Sequence, residues 1–438
     1  VRLRIRRLTA AALAATLATG LLGAATAVAA PADPAAETSA ERSGESSAEE
    51  SAAETQGRQD RSALRRAMRE VTDAGVAGLQ VRVHDDQGDW VGTSGVRELG
   101  RHEKVPANGR FRVGSITKTF VSTVVLQLVD EGRIGLDDPV HRHLPQFRID
   151  PRVTVRMLLQ HTSGIADYLA GDNPDGTRGP GIPVDGPEFF PHRFRTYTHA
   201  DLAQIGTSQP ALFEPGSKWS YSNTNYALIA LLIEKTTGTP YATQVENRVL
   251  RPLGLRETSI PGTRVSIPGP HAHGYLAFTR DGKREVHDVT RLNPSWAGAA
   301  GEIISTTRDL DRFISALHNG RLLKPELLAV MRQAQPVVGN FSYGLGLEIV
   351  DFGPACGGVF YGHSGGIPGY SSYVYSTPDG SRRMELSMSE GNFDPRDSGA
   401  AQKLSAKVQN LLDAAACGKA APSDSQTARS APARPHRF

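Results

Sequence analysis

Strand signals lie at the two ends of the body of this chain and helical signals in its middle, an order that admits few folds. Alternating apolar residues mark strands at Leu79–His84 and Trp90–Gly95, joined by the turn-forming residues Asp85–Gly88. Strand patterns return late, at Gly344–Val350, Val359–Gly362, Ser371–Ser376 and Met384–Ser389. Between them Ser115–Glu131 and Ala227–Thr236 read as helices, and residues from 132 to about 290 as mainly helical and loop-rich. Leu64, Ala67, Met68 and Val71 share one face of an opening helix, and a final amphipathic helix covers about Ala400–Ala415. The order predicts an α/β (α+β) lobe built from both termini, with an inserted helical lobe over about 132–290.

The flanks do not belong to that body, which runs over 61–418. Arg2, Arg4, Arg6 and Arg7 precede an Ala/Leu-rich run from Leu8 to Ala30, with small residues at Ala27 and Ala29. Residues 1–30 therefore read as a signal peptide, the alternative being an uncleaved membrane anchor. Losing its four arginines takes the formal charge from +3 to −1, so the basic balance is no argument for nucleic-acid binding. Residues 31–60 are Ala, Glu and Ser with almost no large apolar side chain, an expected disordered linker, and 419–438 resemble them. No later stretch is long and apolar enough to span a bilayer, so a secreted, extracellular monomer without a stable membrane anchor is expected. The two cysteines, Cys356 and Cys417, fit one disulfide in an exported protein, worth about 4 kcal/mol by chain entropy; two buried thiols are the alternative.

Three short motifs carry candidate chemistry. Ser115-Ile-Thr-Lys118 stands where Arg112-Val-Gly114 enters a helix, so the Ser115 N–H is unsatisfied and Lys118 shares its face. A desolvated lysine there can act as base toward the serine; a helix-start serine beside a solvated lysine is the plainer reading. Tyr221-Ser-Asn223 is the one Tyr-x-Asn in the chain. A tyrosine of depressed pKa could shuttle a proton and Asn223 could hold a substrate amide, or the segment is a loop in which Asn225 caps the next helix. Gly362-His-Ser-Gly-Gly366 matches the nucleophile elbow of α/β-hydrolases, but a strand pattern follows it and the one later histidine is His436. The residues fit better as an edge strand facing Ser115. The close pairs His141/His143 and His271/His273 lack a third ligand, so no metal and no cofactor is expected.

In this order and spacing the motifs resemble the serine penicillin-recognising enzymes, with S-x-x-K, then S/Y-x-N, then K/H-[ST]-G. More narrowly the chain is similar to the actinomycete-type secreted D-Ala-D-Ala carboxypeptidases and the class C β-lactamases. Phe111–Lys118, Leu126–Gly132, Leu158–Gly164, Tyr221–Asn225, Tyr361–Gly365 and the paired cysteines carry the resemblance, which spans about 62 to 418. It implies a β-lactamase/DD-peptidase-like fold, an antiparallel sheet flanked by helices. It makes Ser115 the nucleophile and Lys118 its base, with Tyr221 relaying the proton to the leaving group. Asn223 would contact the acyl-side amide, and His363 would orient Tyr221 and supply positive potential. The N–H groups of Ser115 and Gly366 would form the oxyanion hole; Ser364 and Gly365 would bind substrate, and Trp296 would wall the acyl pocket.

Two departures concern the leaving group. Where the carboxypeptidases have a second threonine for the substrate's terminal carboxylate, this chain has Gly366; where they have an assisting arginine, it has Glu348. A negative charge pointing into the cleft there would repel a carboxylate by ~1 kcal/mol or more. The expected activity is a D-alanyl-D-alanine carboxypeptidase-like peptidase on peptidoglycan stem peptides, with β-lactams as covalent ligands. The alternatives are a D-aminopeptidase, D-specific endopeptidase or esterase on the same scaffold, then a class C-like β-lactamase or a non-catalytic β-lactam-binding protein. His161-Thr-Ser-Gly164 reads as a structural turn.

Overall fold

The sheet begins with a hairpin of β1 (Gly78–Asp85) and β2 (Gly88–Gly95) in this computed structural model, which describes residues 61–171 and 179–418. The expected signal (1–30), linker (31–60) and tail (419–438) lie outside the described residues. Further along come β3 (Phe111–Arg112), the hairpin β4 (Tyr275–Arg280) and β5 (Lys283–Asp288), and β6 (Ile304–Ser305), which pairs with β3. The late strands are β7 (Gln335–Val338), β8 (Phe341–Tyr343), β9 (Glu348–Asp351), β10 (Val359–Ile367), β11 (Tyr370–Ser376) and β12 (Arg383–Ser389). Eight strands form one antiparallel sheet in the order β2-β1-β12-β11-β10-β9-β8-β7. β1 lies beside β12, so the lobe is closed from both ends of the chain.

Register sets the two faces. Leu79, Val81 and Val83 stand opposite Met388, Leu386 and Met384, which stacks apolar side chains on one side. The helices used below are α1 (61–73), α2 (Thr117–Asp130), α3 (Asn223–Thr237), α4 (Thr307–His318) and α5 (Ser398–Cys417). Leu64, Met68 and Val71 of α1 and Leu411 and Leu412 of α5 cover that apolar face, to which β11 contributes Tyr373 and Tyr375. On the opposite face α4 packs on β1, β11 and β12, and the larger core that contains α2 and α3 lies on this side. α2 is buried nearly all round, from Thr117 to Leu126 and again at Leu128, which makes it a central helix. Cys356 and Cys417 are bonded, tying the turn before β10 to the last residue of α5.

Three details differ from the sequence reading. Gly344–Val350 is not one strand: the Gly344 N–H bonds the Leu347 carbonyl, closing a turn, and β9 starts at Glu348. β10 extends past the Val359–Gly362 pattern to Ile367, so the edge strand expected for Gly362–Gly366 is its continuation and not a separate element. The β4–β5 hairpin occupies the stretch expected to be mainly helical; its second strand, Lys283–Asp288, is largely exposed and polar, so no apolar run marked it. No described helix is long and apolar enough to cross a membrane.

Candidate active site

Two glycines let the start of α2 reach the edge of the sheet. Gly114 has φ +53°, and a Cβ there would stand 2.2 Å from the Gly366 carbonyl oxygen; at Gly365 it would stand 2.0 Å from that of Val113. Ser115 lies in the 3₁₀ turn Gly114–Ile116 that runs into α2, and one turn later Lys118 shares its face. Lys118 is fully buried, and its Nζ stands 3.0 Å from Ser115 Oγ, 2.7 Å from Asn223 Oδ1 and 2.8 Å from the Ala300 carbonyl oxygen. Desolvation lowers Lys118 from 10.5 to about 7, against the opposing pull of Asp167 and Glu348. A neutral amine has two N–H groups and one lone pair. Asn223 Oδ1 and the Ala300 carbonyl can only accept, so they take both N–H groups and leave the lone pair for the Ser115 hydroxyl.

Tyr221 closes this pocket, its ring centroid 4.7 Å from Lys118 Nζ. A hydrogen bond with Ser115 favours its ionised form, but burial outweighs it and holds the phenol well above its ordinary value. The depressed tyrosine expected from sequence is thus not found; Tyr221 holds its proton more tightly than an ordinary phenol, and Lys118 holds its own less tightly than an ordinary amine. Beneath it lies His161, buried in a left-handed conformation (φ +63°), its ring centroid 4.2 Å from that of Tyr221. His161 Nδ1 accepts the Ser222 N–H at 3.2 Å. The segment read as a plain turn is therefore a wall of the site.

The free edge of β10 forms the opposite wall. In an antiparallel ladder alternate residues turn their N–H groups outward. Ser364, opposite Tyr373, turns its N–H out to Glu348 Oε2 at 2.9 Å; Gly366, opposite Ser371, is two residues on and faces the same way. That side of Gly366 adjoins Gly114 at the start of the turn holding Ser115. Ser364 also gives its hydroxyl to Glu348 Oε1 at 2.7 Å, and Tyr375 donates to Glu348 Oε2. Ser364 therefore has no donor left for substrate, contrary to expectation, and Glu348 is buried against the strand edge instead of standing free in the cleft. Gly365 serves the close approach to Val113.

Three other residues sit differently from their expected places. His363 Nε2 pairs with the Tyr343 hydroxyl at 2.8 Å, and Nδ1 faces the Ser364 carbonyl and lies 3.4 Å from Glu348. The Tyr343 ring stands edge-on to Tyr221 at 6.3 Å, linking His363 to it by packing, and Glu348 offsets any positive charge on the imidazole. Asn223, expected to hold substrate, has both ends of its amide engaged: Oδ1 by Lys118, and Nδ2, which donates to Asp167 Oδ2 at 2.9 Å. Trp296 lies within the main core at 1% exposure, so it offers no open wall. Asp167 was not foreseen. Its one sequence signal is its place just after the Leu158–Gly164 segment.

A family model for Beta-lactamase matches residues 61–402. Penicillin-binding protein 4* of Bacillus subtilis is 29% identical over 302 residues, covering 64% of this chain and 60% of that protein, so the chain spans about three fifths of it. Esterase EstB of Burkholderia gladioli is 32% identical over 314 residues, 64% of this chain and 76% of the esterase. Among solved structures, the D-stereospecific amidohydrolase from Streptomyces sp. is 40% identical with a TM-score of 0.70, covering 82% of this chain and 99% of that one. The D-amino acid amidase from Ochrobactrum anthropi SV3, complexed with L-phenylalanine amide, is 26% identical with a TM-score of 0.67, over 81% and 98% of the two chains. With the match spanning most of the body, and a buried serine–lysine pair at its centre, the chain belongs to the Beta-lactamase family.

Proposed function

We propose that this chain is an exported amidohydrolase or esterase that acylates Ser115 and takes substrates whose leaving group carries no carboxylate, D-amino acid amides and esters above all. One observation carries the reading. Glu348 takes both donors of Ser364 on the strand edge beside Ser115, where a terminal carboxylate would need donors and no negative charge. The similarity to an amidohydrolase, an amidase and an esterase supports it, as does the departure at Gly366. The Cys356–Cys417 bond supports export, since such bonds persist in oxidising compartments.

In the cycle the Ser115 hydroxyl gives its proton to Lys118 Nζ while Oγ attacks the substrate carbonyl carbon. The oxyanion is held by the N–H groups of Ser115 and Gly366. Tyr221 donates its phenolic proton to the departing amine or alkoxide, the C–N or C–O bond breaks, and the Lys118 ammonium reprotonates the phenolate. Water then attacks the acyl-enzyme by the reverse proton path, freeing the acid and Ser115.

The test compares kcat/KM on D-phenylalanine amide, a p-nitrophenyl ester and an N-acyl-D-Ala-D-Ala peptide, with penicillin incubated separately and followed by intact mass. Amide and ester turnover well above peptide turnover is expected, with Glu348→Gln improving the peptide at least tenfold relative to the amide. Preference for the peptide would return the assignment to a carboxypeptidase, and rapid penicillin loss would make it a β-lactamase. Full activity in Ser115→Ala would end the acyl-enzyme reading.

A further inference from the structure

We propose that Asp167 is a positioning residue that fixes which end of the Asn223 amide faces Lys118 and so keeps the lysine lone pair aimed at Ser115. The inference deepens the acyl-enzyme reading and rests on it.

An asparagine amide presents an acceptor at one end and donors at the other, and the two ends have nearly the same shape. At Asn223 the choice decides the chemistry. With Oδ1 toward Lys118, the amine spends an N–H on it. With Nδ2 toward Lys118, that amide would donate to the amine's lone pair and withdraw it from the Ser115 hydroxyl. Asp167 selects the first arrangement, because a carboxylate oxygen accepts and Asn223 Nδ2 donates to its Oδ2 at 2.9 Å. The carboxylate is itself held: the Leu169 N–H donates to Oδ1 at 3.1 Å. Burial raises Asp167, and the Leu169 N–H, the Asn223 backbone N–H, the Asn223 side chain and the nearby Lys118 oppose that rise by favouring its anion.

The surroundings are built to hold this alignment. Thr224 Oγ1 donates to the Ala166 carbonyl at 2.7 Å, Ser222 Oγ to the same oxygen at 3.2 Å, and Ser163 Oγ to Asn225 Oδ1 at 2.8 Å. Gln209 Nε2 holds the Asp167 carbonyl at 3.0 Å. These bonds fasten 163–167 to the start of α3, leaving Asp167 opposite Asn223. The charged or titratable groups around Lys118 are Asp167 from this loop, Glu348 from β9, Tyr221 and Tyr226 from the α3 region, and Ser115 from its own helix start. Of these, Asp167 is the carboxylate bonded to the Asn223 amide that in turn bonds the amine.

The experiment follows Ser115 acylation by a p-nitrophenyl ester against pH in the wild type, Asp167→Asn, and the exchanged pair Asp167→Asn/Asn223→Asp. Asp167→Asn removes the charge and permits the flip, and both effects lower the basicity of Lys118. Its plateau should fall at least tenfold and its acid-side inflection should move to lower pH. The exchanged pair restores a donor facing an acceptor and returns the negative charge, so its inflection should move back up. A merely structural role would lower the active fraction and leave the inflection in place, and that outcome overturns the proposal. An exchanged pair that folds yet keeps the low inflection overturns it too. If the wild type itself shows no acylation that Ser115→Ala abolishes, the acyl-enzyme reading has failed and not this inference alone.

Discussion

The acylation rate of Ser115 should titrate with Lys118, and burial sets where. A lysine at its ordinary 10.5 would be neutral in only about 0.3% of molecules at pH 8, whereas at about 7 roughly 90% are neutral, a gain of about 300-fold in free base. Lowering Lys118 from 10.5 to about 7 corresponds to about 5 kcal/mol of stability given up. The sign follows from the depressed folded value. The penalty is absent above the unfolded value near 10.5, grows as pH falls, and is complete below about 7. Acylation runs along the same axis. At pH 5 about 1% of Lys118 is neutral, so the single-turnover rate should lie about 100-fold below its plateau and rise through an inflection near 7. Tyr221 is pushed well above its usual range, so it should impose no descending limb below pH 9. The assay is the p-nitrophenolate burst between pH 5 and 9 in the wild type and in Lys118→Arg, whose guanidinium keeps its proton throughout. The variant should lose about 10²–10⁴-fold. A flat wild-type profile, an inflection near 10, or an active Lys118→Arg would refute Lys118 as the base.

Two further outcomes follow from the packing. Gly114→Ala would place its Cβ 2.2 Å from the Gly366 oxygen, so β10 must shift and the oxyanion donors with it; kcat should fall about 10²–10³-fold with the circular dichroism spectrum kept. Near-normal turnover would dissociate Gly366 from the reaction. Glu302 is buried, accepts from Tyr241 and from the Gly262 N–H at 2.7 Å, and is raised from 4.5 to about 7. Because the folded value is the higher, its contribution is complete below about 4.5 and lost as pH rises through 7, by about 3 kcal/mol in all. Urea denaturation should therefore show the wild type losing ground to Glu302→Gln between pH 4.5 and 8; a constant difference contradicts this.

How much of this was legible in the sequence depends on the reach of each contact. The Ser115–Lys118 pair spans three residues on one helix turn, so its spacing could suggest it, and the order of all three motifs carried the assignment. β1 and β2 were visible because their alternation is regular and their turn is short. β7 and β8 were not: Gln335–Val338 is mostly exposed, and Phe341–Tyr343 has three residues. The nucleophile elbow could be rejected because Gly362–Gly366 continues as β10 into a hairpin with β11, with no helix following. Asp167 escaped, and so did the pairing of Glu348 with Ser364, because both rest on tertiary partners, at separations of 56 and 16 residues. Periodicity cannot show that a carboxylate is buried, nor which donors it consumes. Yet these two residues oppose the desolvation of Lys118, one of them through the amide that Lys118 touches. The motif supplies a nucleophile and an amine, but the pH at which that amine is a base depends on two carboxylates outside all three motifs. Serine–lysine hydrolases with the same motifs can therefore differ in working pH and leaving group through substitutions at such positions alone.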